Sequence, residues 1–554
     1  VRRTVDPLDD GAPEPPPTQL SEEQTSALDS LNQALDEQAF RPFLLQGVTG
    51  SGKTEVYIRA ILRARELGRG AIVLVPEIAL TPQTRRRFEA RMSGIAVFHS
   101  GLTERERRLE WQAVQQGEKS VVIGPRSAVF APLADVGLIV VDEEHEPSYK
   151  QATTPRYHAR DVAVQRAKMN GAVVVLRSAT PSLESRTNAH AGKYGHLRLD
   201  RRVADRPLPT VRVVDMSVEC REQRRFALFS RDLQEALATS VGERGEQAIL
   251  FLNRRGFNSF LQCTTCGASE ECSSCDLALT YHKSLDRMIC HYCFETRPVP
   301  QRCSSCGQPT LRFLGFGTQQ IEAEVTKDFR VARMDSDTMT TRRHYEETLR
   351  DFREGEIDVL VGTQMIAKGL DFPNVTLVGI VSADGGLSMP DFRARERTFQ
   401  LIAQVAGRAG RGEKPGYVLV QTFRPDEPAI VLATQHDYEA FARQELRDRH
   451  TAGYPPFGRL VLITAEGKDE EKTGAALADL ATRIRTAAYE RSDLQLLGPA
   501  PAALSKLRDK YRWQIIAKAR NARMVRTFVA DSLRPWRPPS GIKVTVDVDP
   551  ADMM

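Results

Sequence analysis

Short apolar runs recur along the chain, each followed by a longer stretch dominated by polar and charged positions. FLLQ (Phe43–Gln46), AIVLV (Ala71–Val75), SVVIG (Ser120–Gly124), GLIVV (Gly137–Val141) and AVVVL (Ala172–Leu176) are the first five. Continuous apolar runs of this length suit parallel strands covered by helices on both faces. The stretch after Lys53 reads as a helix that stops at Gly68 and Gly70. A second series follows: QAILFL (Gln247–Leu252), LRFLGF (Leu311–Phe316), VARM (Val331–Met334), IDVLVGT (Ile357–Thr363), TLVGIV (Thr376–Val381) and GYVLVQT (Gly416–Thr422). The spacing predicts two tandem α/β units, each a doubly wound parallel sheet. A cysteine-rich stretch interrupts the second unit, and a last region with its own strands, RLVLITAE and IKVTVDV, is expected to be a small α+β domain. The two units repeat only as architecture. The expected organisation is a proline-rich linker over 1–18, a first lobe over 19–225, a second over 226–256 and 311–436, the insertion over 257–310, and a C-terminal domain over 437–554.

Composition narrows the class. Hydrophobic residues make up 41% of the 554, enough for ordinary buried cores. No apolar run approaches the ~20 residues of a membrane span, and no secretion signal opens the chain, so it reads as soluble and cytoplasmic, with no membrane partner. The formal charge of +5 would fall close to neutral if eight thiolates held two zinc ions. Nucleic-acid binding would then depend on local basic patches rather than on a global field. GAPEPPP (Gly11–Pro17) has the extended character of a linker.

The candidate chemistry sits at strand ends. GVTGSGKT comprises Gly47, Val48, Thr49, Gly50, Ser51, Gly52, Lys53 and Thr54, and it follows a predicted strand into a predicted helix. Its glycines let backbone N–H groups close around phosphate, the helix N-terminus adds partial positive charge, Lys53 reaches the β- and γ-phosphates, and Thr54 serves Mg²⁺. DEEH (Asp142–His145) ends the run GLIVV. Asp142 would hold Mg²⁺ and Glu143 would orient and deprotonate the attacking water, with Glu144 and His145 coupled to the rest of the site. SATPS (Ser178–Ser182) ends the next run, where Ser178 and Thr180 would link the nucleotide site to bound nucleic acid. QVAGRAGR (Gln404–Arg411) supplies Arg408 and Arg411 as candidates to meet the γ-phosphate from the second lobe.

Nine cysteines are present, and eight form four C-x-x-C pairs: Cys263/Cys266, Cys272/Cys275, Cys290/Cys293 and Cys303/Cys306. Each pair can turn two sulfurs toward one zinc ion. Five residues separate the first and second pairs and fourteen separate the second and third. The short gap leaves little room to close on one ion, whereas the longer one suits a zinc-ribbon loop. The inner pairs are therefore expected to share one zinc and the outer pairs the other. Such nesting brings both ends of the insertion to one point, so a module can enter the lobe without disturbing its sheet. Cys220 is left over and reads as a small, partly buried thiol.

Taken in order, GVTGSGKT, LVPEIALT (Leu74–Thr81), DEEH, SATPS, VLVGTQMIAKGLDFPNVTLVG (Val359–Gly379) and QVAGRAGR resemble the motif series of superfamily 2 helicases. SYKQATTPRYHARD (Ser148–Asp161), LFLNRRGF (Leu250–Phe257) leading into the cysteines, YPPFGRL (Tyr454–Leu460), LGPAPA (Leu497–Ala502), YRWQI (Tyr511–Ile515) and DVDP (Asp547–Pro550) narrow the resemblance to the PriA family of replication-restart helicases, from about residue 20 onward. The resemblance implies RecA-like lobes and ATP-dependent 3′-to-5′ movement on single-stranded and forked DNA at stalled forks, near the nucleoid. It also implies primosome assembly with helicase-loading partners and single-strand DNA-binding protein, and the same nested zinc pairing.

By position, Lys53, Thr54, Asp142, Glu143, Gln404, Arg408 and Arg411 carry over as the ATPase set, and Gly369 and Asp371 as the segment joining ATP to DNA. Tyr149, Arg156, Tyr157, His158 and Arg160 resemble the aromatic-rich loop that couples DNA contact to hydrolysis, with rings stacking on bases and arginines on phosphates. Lys510, Arg512 and Gln514 fall near where the family receives the acidic tail of single-strand DNA-binding protein, the alternative being a packed strand of the domain. The family's N-terminal DNA-binding and winged-helix domains would precede Val1: the chain is a fragment, has a misassigned start, or lacks them. Nascent 3′-end recognition is therefore not expected of these residues. Two competing readings are another superfamily 2 translocase and a DNA-binding scaffold with a vestigial ATPase.

Overall fold

The structure is a computed structural model that describes residues 19–76, 82–203, 208–252, 260–274, 277–282, 285–291, 293–314, 317–335, 337–339, 341–363, 365–366, 372–410, 414–488 and 494–553. Two compact units emerge, one of residues 1–210, 330–376 and 404–416, the other of 211–329, 377–403 and 417–554. These cut across the expected boundaries. Residues 404–416, assigned to the second lobe, cluster with the first because they approach its phosphate loop, as shown below.

In the first unit, strands Arg41–Gly47 (β1), Gly70–Leu74 (β2), Ile95–Val97 (β3), Val121–Gly124 (β4), Val136–Asp142 (β5), Val173–Ser178 (β6) and Gly195–Leu199 (β7) form one sheet in the order β3-β4-β2-β5-β6-β1-β7. All its pairings are parallel. Side chains alternate between two cores: Leu45, Val73, Val140 and Val175 face the helices Glu22–Asp36 and Lys53–Glu66, while Leu44, Ile72, Ile139 and Val174 face the helix Ala159–Asn170. This is why the runs carry no polar face. The order places β6 between β5 and β1, with Asp142 opposite Arg177 and Gln46 opposite Ser178. The end of β6 thus lies between the phosphate loop and the acidic motif, at the carboxyl edge where open α/β sheets bind ligands. The same unit holds Val331–Met334 and Val359–Gly362 as a parallel pair.

In the second unit, strands Gln247–Leu252, Val375–Ser382, Tyr417–Thr422 and Thr210–Asp215 lie side by side in that order. Thr210–Asp215 was expected in the first lobe, and its pairing moves that boundary to about residue 209. LRFLGF is a second correction. Leu311–Leu314 is not a strand of the parallel sheet, because it pairs antiparallel with Phe260–Cys263 at the neck of the insertion. The insertion is a five-stranded antiparallel sheet closed by this pairing. Entry and exit therefore meet, as nesting required.

The C-terminal sheet runs Gln495–Leu507, Lys510–Ala519, Arg459–Gly467, Lys543–Val548, all antiparallel. Val461, Ile463 and Ile515 pack under the helices Glu470–Ala487 and Ala522–Leu533. Leu460, Leu462 and Ile516, on the opposite face, share a core with Leu261, Cys272, Met288 and Cys290 of the insertion, with Phe392, and with Met553. The last residues fold back onto the start of the helix Ala394–Ala406, where Arg393 donates to the Pro550 carbonyl at 3.1 Å and Arg397 to that of Ala551. Arg449, 2% exposed, bonds Glu396 at 2.6 Å and Glu445 at 3.0 Å. No helix among the described residues is long and apolar enough to cross a membrane.

Removing one partner from a buried ion pair strands the other charge, at a cost of about 3–5 kcal/mol. Arg449→Met, which leaves Glu396 and Glu445 buried without their cation, should lower unfolding free energy by about that amount in denaturant titration. An unchanged midpoint would contradict it.

Candidate active site and metal centres

The phosphate loop begins where β1 ends. Gly50 and Gly52 have φ of +84° and +77°, a region that side chains with a Cβ rarely enter, and Gly52 caps the helix Lys53–Glu66. Lys53 is buried, and its ammonium donates to the carbonyls of Gly47 at 2.5 Å and Val48 at 2.8 Å. Gln24, which sequence reasoning missed, braces the loop from the side by donating to the Ser51 carbonyl at 2.9 Å. Its signal was available: Ser21 and Gln24 form a capping box at the start of Glu22–Asp36.

Asp142 and Glu143 follow β5. Glu143 has φ of +46°, a strained posture for a residue with a side chain, and the turn places its carboxylate among positive charges. Arg177 Nη1 donates to Asp142 Oδ1 and, at 2.8 Å, to Glu143 Oε1. Burial lifts the Asp142 carboxyl above its ordinary range. Burial acts the same way on Glu143, but Arg177, His145, Lys53 and Arg408 outweigh it and hold that carboxyl below the usual range. Glu143 is thus kept ionised, as a water-orienting base requires. The Tyr57 hydroxyl lies 3.4 Å from Asp142 Oδ2 and also bonds Thr54, so an oxygen pair suited to a hard cation lies within one phenol's reach.

The other half of DEEH faces the motif after β6. His145 Nδ1 bonds Ser178 Oγ at 2.8 Å, and that oxygen accepts the Thr180 N–H at 3.0 Å. Glu144 is fully buried and accepts from Ser182 N at 2.6 Å, Ser182 Oγ at 3.0 Å, Ser185 Oγ at 2.8 Å and Arg160 at 3.1 Å. The expected links of Ser178 and Thr180 therefore run to the acidic motif.

The segment Gln404–Gly410 belongs to the same compact unit. Gly407 lies so close to the loop that a Cβ there would come 2.7 Å from the Thr49 side chain. Arg408 is near enough for its charge to act on Glu143. Gln404 is half-buried on the helix leading there. Arg411, Gly369, Asp371 and Cys275 lie outside the described residues.

The loop predicted to meet DNA divides. Tyr149 is 1% exposed, with its hydroxyl on the carbonyls of Leu74 at 3.0 Å and Asp142 at 2.6 Å, so its ring is a strut rather than a base-stacking face. Arg160 is spent on Glu144 and Ser182. His158 caps the helix Ala159–Asn170, and burial, reinforced by Arg160, pushes its pKa down to about 3, so it is a neutral cap and not a phosphate-binding cation. Arg156 is exposed and Tyr157 half-buried, its ring edge-on at 5.0 Å to Phe130, which is 49% exposed. In the C-terminal domain Lys510 is exposed and Arg512 meets Glu466 at 3.3 Å. Gln514 is 2% exposed and reaches the His291 carbonyl at 3.5 Å, so it is removed from any surface site.

The cysteine sulfurs fall into two groups, Cys263/Cys266/Cys303/Cys306 and Cys272/Cys290/Cys293, each with ligand atoms within 4.8 Å of one another. The outer pairs meet across the neck, Cys263 with Cys306 and Cys266 with Cys303 at 3.6 Å, and Cys272 lies 3.3 Å from Cys293. Tetrahedral thiolate around zinc needs sulfurs about 3.8 Å apart, so the donor sets fit. The Thr310 hydroxyl, 3.2 Å from Cys263 Sγ, and the N–H groups of Cys266 and Thr265 act against burial at that sulfur, as donors to a metal-bound thiolate would. Both groups are donor sets suited to zinc, and among the described residues the sulfurs group as a nested pairing would bring them.

Parallel-sheet lobes, a phosphate loop facing an acidic motif, and a zinc ribbon set into the second lobe define a helicase of the RecA-like, two-lobed class. Family profiles agree: DEAD/DEAH box helicase over 21–188, helicase conserved C-terminal domain over 304–413, PriA DNA helicase Cys-rich region over 272–298, and primosomal protein N C-terminal domain over 450–551. The chain is 44% identical over 545 residues to the replication restart protein PriA of Bacillus subtilis, covering 97% of this chain and 67% of that protein. It is 42% identical to those of Synechocystis and Treponema pallidum, covering 65% and 80% of them and 97% of this chain in each case. It belongs to the PriA family of replication-restart DNA helicases, and it spans about two thirds of the length of the first of these relatives.

Cys290→Ser should reduce bound zinc from two ions to about one by elemental analysis and should loosen the core that Cys290 shares with Leu462 and Ile516. Retention of both ions would contradict the nesting.

Proposed function

We propose that this chain is an ATP-driven 3′-to-5′ DNA translocase and helicase that acts at stalled replication forks, close to the nucleoid, and begins primosome assembly. The observation that carries this reading is the approach of Gly407 to Thr49, which brings Arg408 into the field of Glu143. An arginine from a second-lobe motif beside a phosphate loop is what couples triphosphate cleavage to lobe movement. Lys53 leaves its carbonyl partners to hold β- and γ-phosphates, and the loop amides cradle them. Asp142 and Thr54 would hold Mg²⁺, which would supply charge neutralisation on the triphosphate. Glu143 orients water for in-line attack and takes its proton, while Arg408 steadies the charge that develops on the γ-phosphoryl oxygens. Tyr157, Phe130 and Arg156 supply rings and a cation for a single strand. Single-strand DNA-binding protein and helicase-loading proteins are the proposed partners, with exposed Lys510 available to the acidic tail of the former.

Two substitutions test the assignment. Lys53→Ala should abolish ATP hydrolysis stimulated by single-stranded DNA, and DNA-stimulated turnover in that variant would refute the site. Arg408→Ala should lower kcat by roughly 10³-fold or more with little change in nucleotide binding. Forked duplexes with a 3′ or a 5′ loading strand decide polarity, and turnover without unwinding on either would favour the scaffold reading.

A further inference from the structure

Arg177 belongs to no step described so far, yet it contacts both carboxylates of the site. The register of β5 and β6 sets it opposite Asp142. One nitrogen, Nη1, serves both carboxylates, donating to Asp142 Oδ1 and to Glu143 Oε1 at 2.8 Å. Its own carbonyl accepts the Glu144 N–H at 3.1 Å, so the backbone that carries it is pinned to the acidic motif. Its Nε is buried and has no hydrogen-bond partner among the described residues. A guanidinium that doubles up on one nitrogen and leaves another buried donor unused is not in the posture a permanent fork-to-fork pair would take.

Other contacts on these carboxylates include the Glu143 N–H on Asp142, the Tyr57 hydroxyl 3.4 Å from Asp142 Oδ2, and His145, 3.7 Å from Glu143 Oε2. Lys53, the other cation of the loop, is turned onto the carbonyls of Gly47 and Val48. Asp142 is also the residue that Mg²⁺ requires. Arg177 sits on Asp142 Oδ1 while Oδ2 faces the Tyr57 hydroxyl, so a divalent ion on this carboxylate would stand close to the guanidinium, and the two cations would repel in a partly buried site.

We propose that Arg177 is an internal counter-cation: it holds Asp142 and Glu143 together in the nucleotide-free chain, and Mg²⁺ displaces it from Asp142 when nucleotide binds. The inference rests on the ATP–Mg²⁺ reading above. The exchange is one-sided. Contact with Asp142 breaks, contact with Glu143 stays, and the freed guanidinium edge can offer its unused N–H to an incoming acceptor. Arg177 is thereby a positioning residue for Glu143 and a competitor of the metal, and it sets how much divalent cation the chain needs.

The test uses the whole chain and Mn²⁺ as a spectroscopic probe. Mn²⁺ affinity is measured by electron paramagnetic resonance in the presence of ADP, for the unaltered protein and for Arg177→Ala, Arg177→Gln and Arg177→Lys, with melting curves to establish folding. Both neutral variants should bind Mn²⁺ on the order of tenfold more tightly, a usual size for coupling between two ligands of one site. Lysine, with one compact charge and no fork, should fall between them and the parent. Unchanged or weaker Mn²⁺ binding in the neutral variants overturns the proposal. Glutamine keeps the packing and a donor should alanine fail to fold. A crystal structure of the unaltered chain with Mg²⁺ and ADP, showing Arg177 still on Asp142 Oδ1 beside the metal, overturns it without any variant. If ADP does not promote Mn²⁺ binding in the parent, the nucleotide-site reading itself fails; if it does and the variants do not tighten, only the exchange fails.

Discussion

Two neighbouring carboxylates at the buried end of a strand dictate the design of the nucleotide site. Asp142 and Glu143 cannot both stay ionised in so dry a place without compensation, and three cations converge to provide it. Each comes from a different part of the fold: Lys53 from the loop after β1, Arg177 from the end of β6, and Arg408 from a segment more than two hundred residues downstream. The strained φ of Glu143 fits this picture, because a relaxed backbone would carry the side chain away from the charges that keep it ionised. The sheet order makes the arrangement possible, for only a β5-β6-β1 succession sets the end of β6 between acid and phosphate loop.

The zinc insertion answers a different constraint. A segment of about fifty residues cannot bury enough apolar surface to fold alone. Nested ligation solves this twice: the outer site closes the neck where Cys263 pairs with Leu311, and the inner site fixes the far end. The module is then tied into its surroundings by Gln262 on Asp384 at 3.2 Å, Glu271 on Arg424 at 3.0 Å, and a core shared with Leu460, Leu462 and Ile516. A core built jointly by insertion and C-terminal sheet explains why Gln514, read with Lys510 and Arg512 as a partner site or a packed strand, is buried. Gln514 faces inward because there is an inward side on both faces of that sheet.

Most of the first lobe was legible because its strands are buried on both faces, which leaves an apolar run with no alternation to misread. Cysteine spacing was equally direct, since ligation restricts which pairs can meet. LRFLGF was misassigned because an apolar run does not say whether its neighbour is parallel or antiparallel; that was decided by Phe260–Cys263, whose pairing depends on a distant metal site. Tyr149, His158 and Arg160 were expected to meet nucleic acid from their resemblance to the family's aromatic-rich loop and from their residue types. Their inward turn depends on Leu74, Asp142, Glu144 and Ser182, partners remote in sequence that no local pattern reveals. Arg177 was overlooked for the opposite reason, since a charged residue inside a buried strand sat unremarked beside a familiar motif.

These inward residues make the acidic motif a two-sided element. Asp142 and Glu143 lie toward Tyr57 and Lys53 of the helix that follows the phosphate loop, while Glu144 and His145 look toward the chain after β6. The surface loop between Lys150 and His158 is fastened to both sides, through the Tyr149 hydroxyl on the Asp142 carbonyl and through Arg160 on Glu144. On the proposed function, a strand that moved Tyr157 or Arg156 would pull on hydrogen bonds that reach Asp142 and Glu144, the two neighbours of Glu143. Coupling through such a path needs no large displacement, because buried polar networks have few satisfied arrangements and a small shift must pass from one to another. In that reading the inward-facing Tyr149 and Arg160 are the loop residues placed to carry such a pull to the acidic motif.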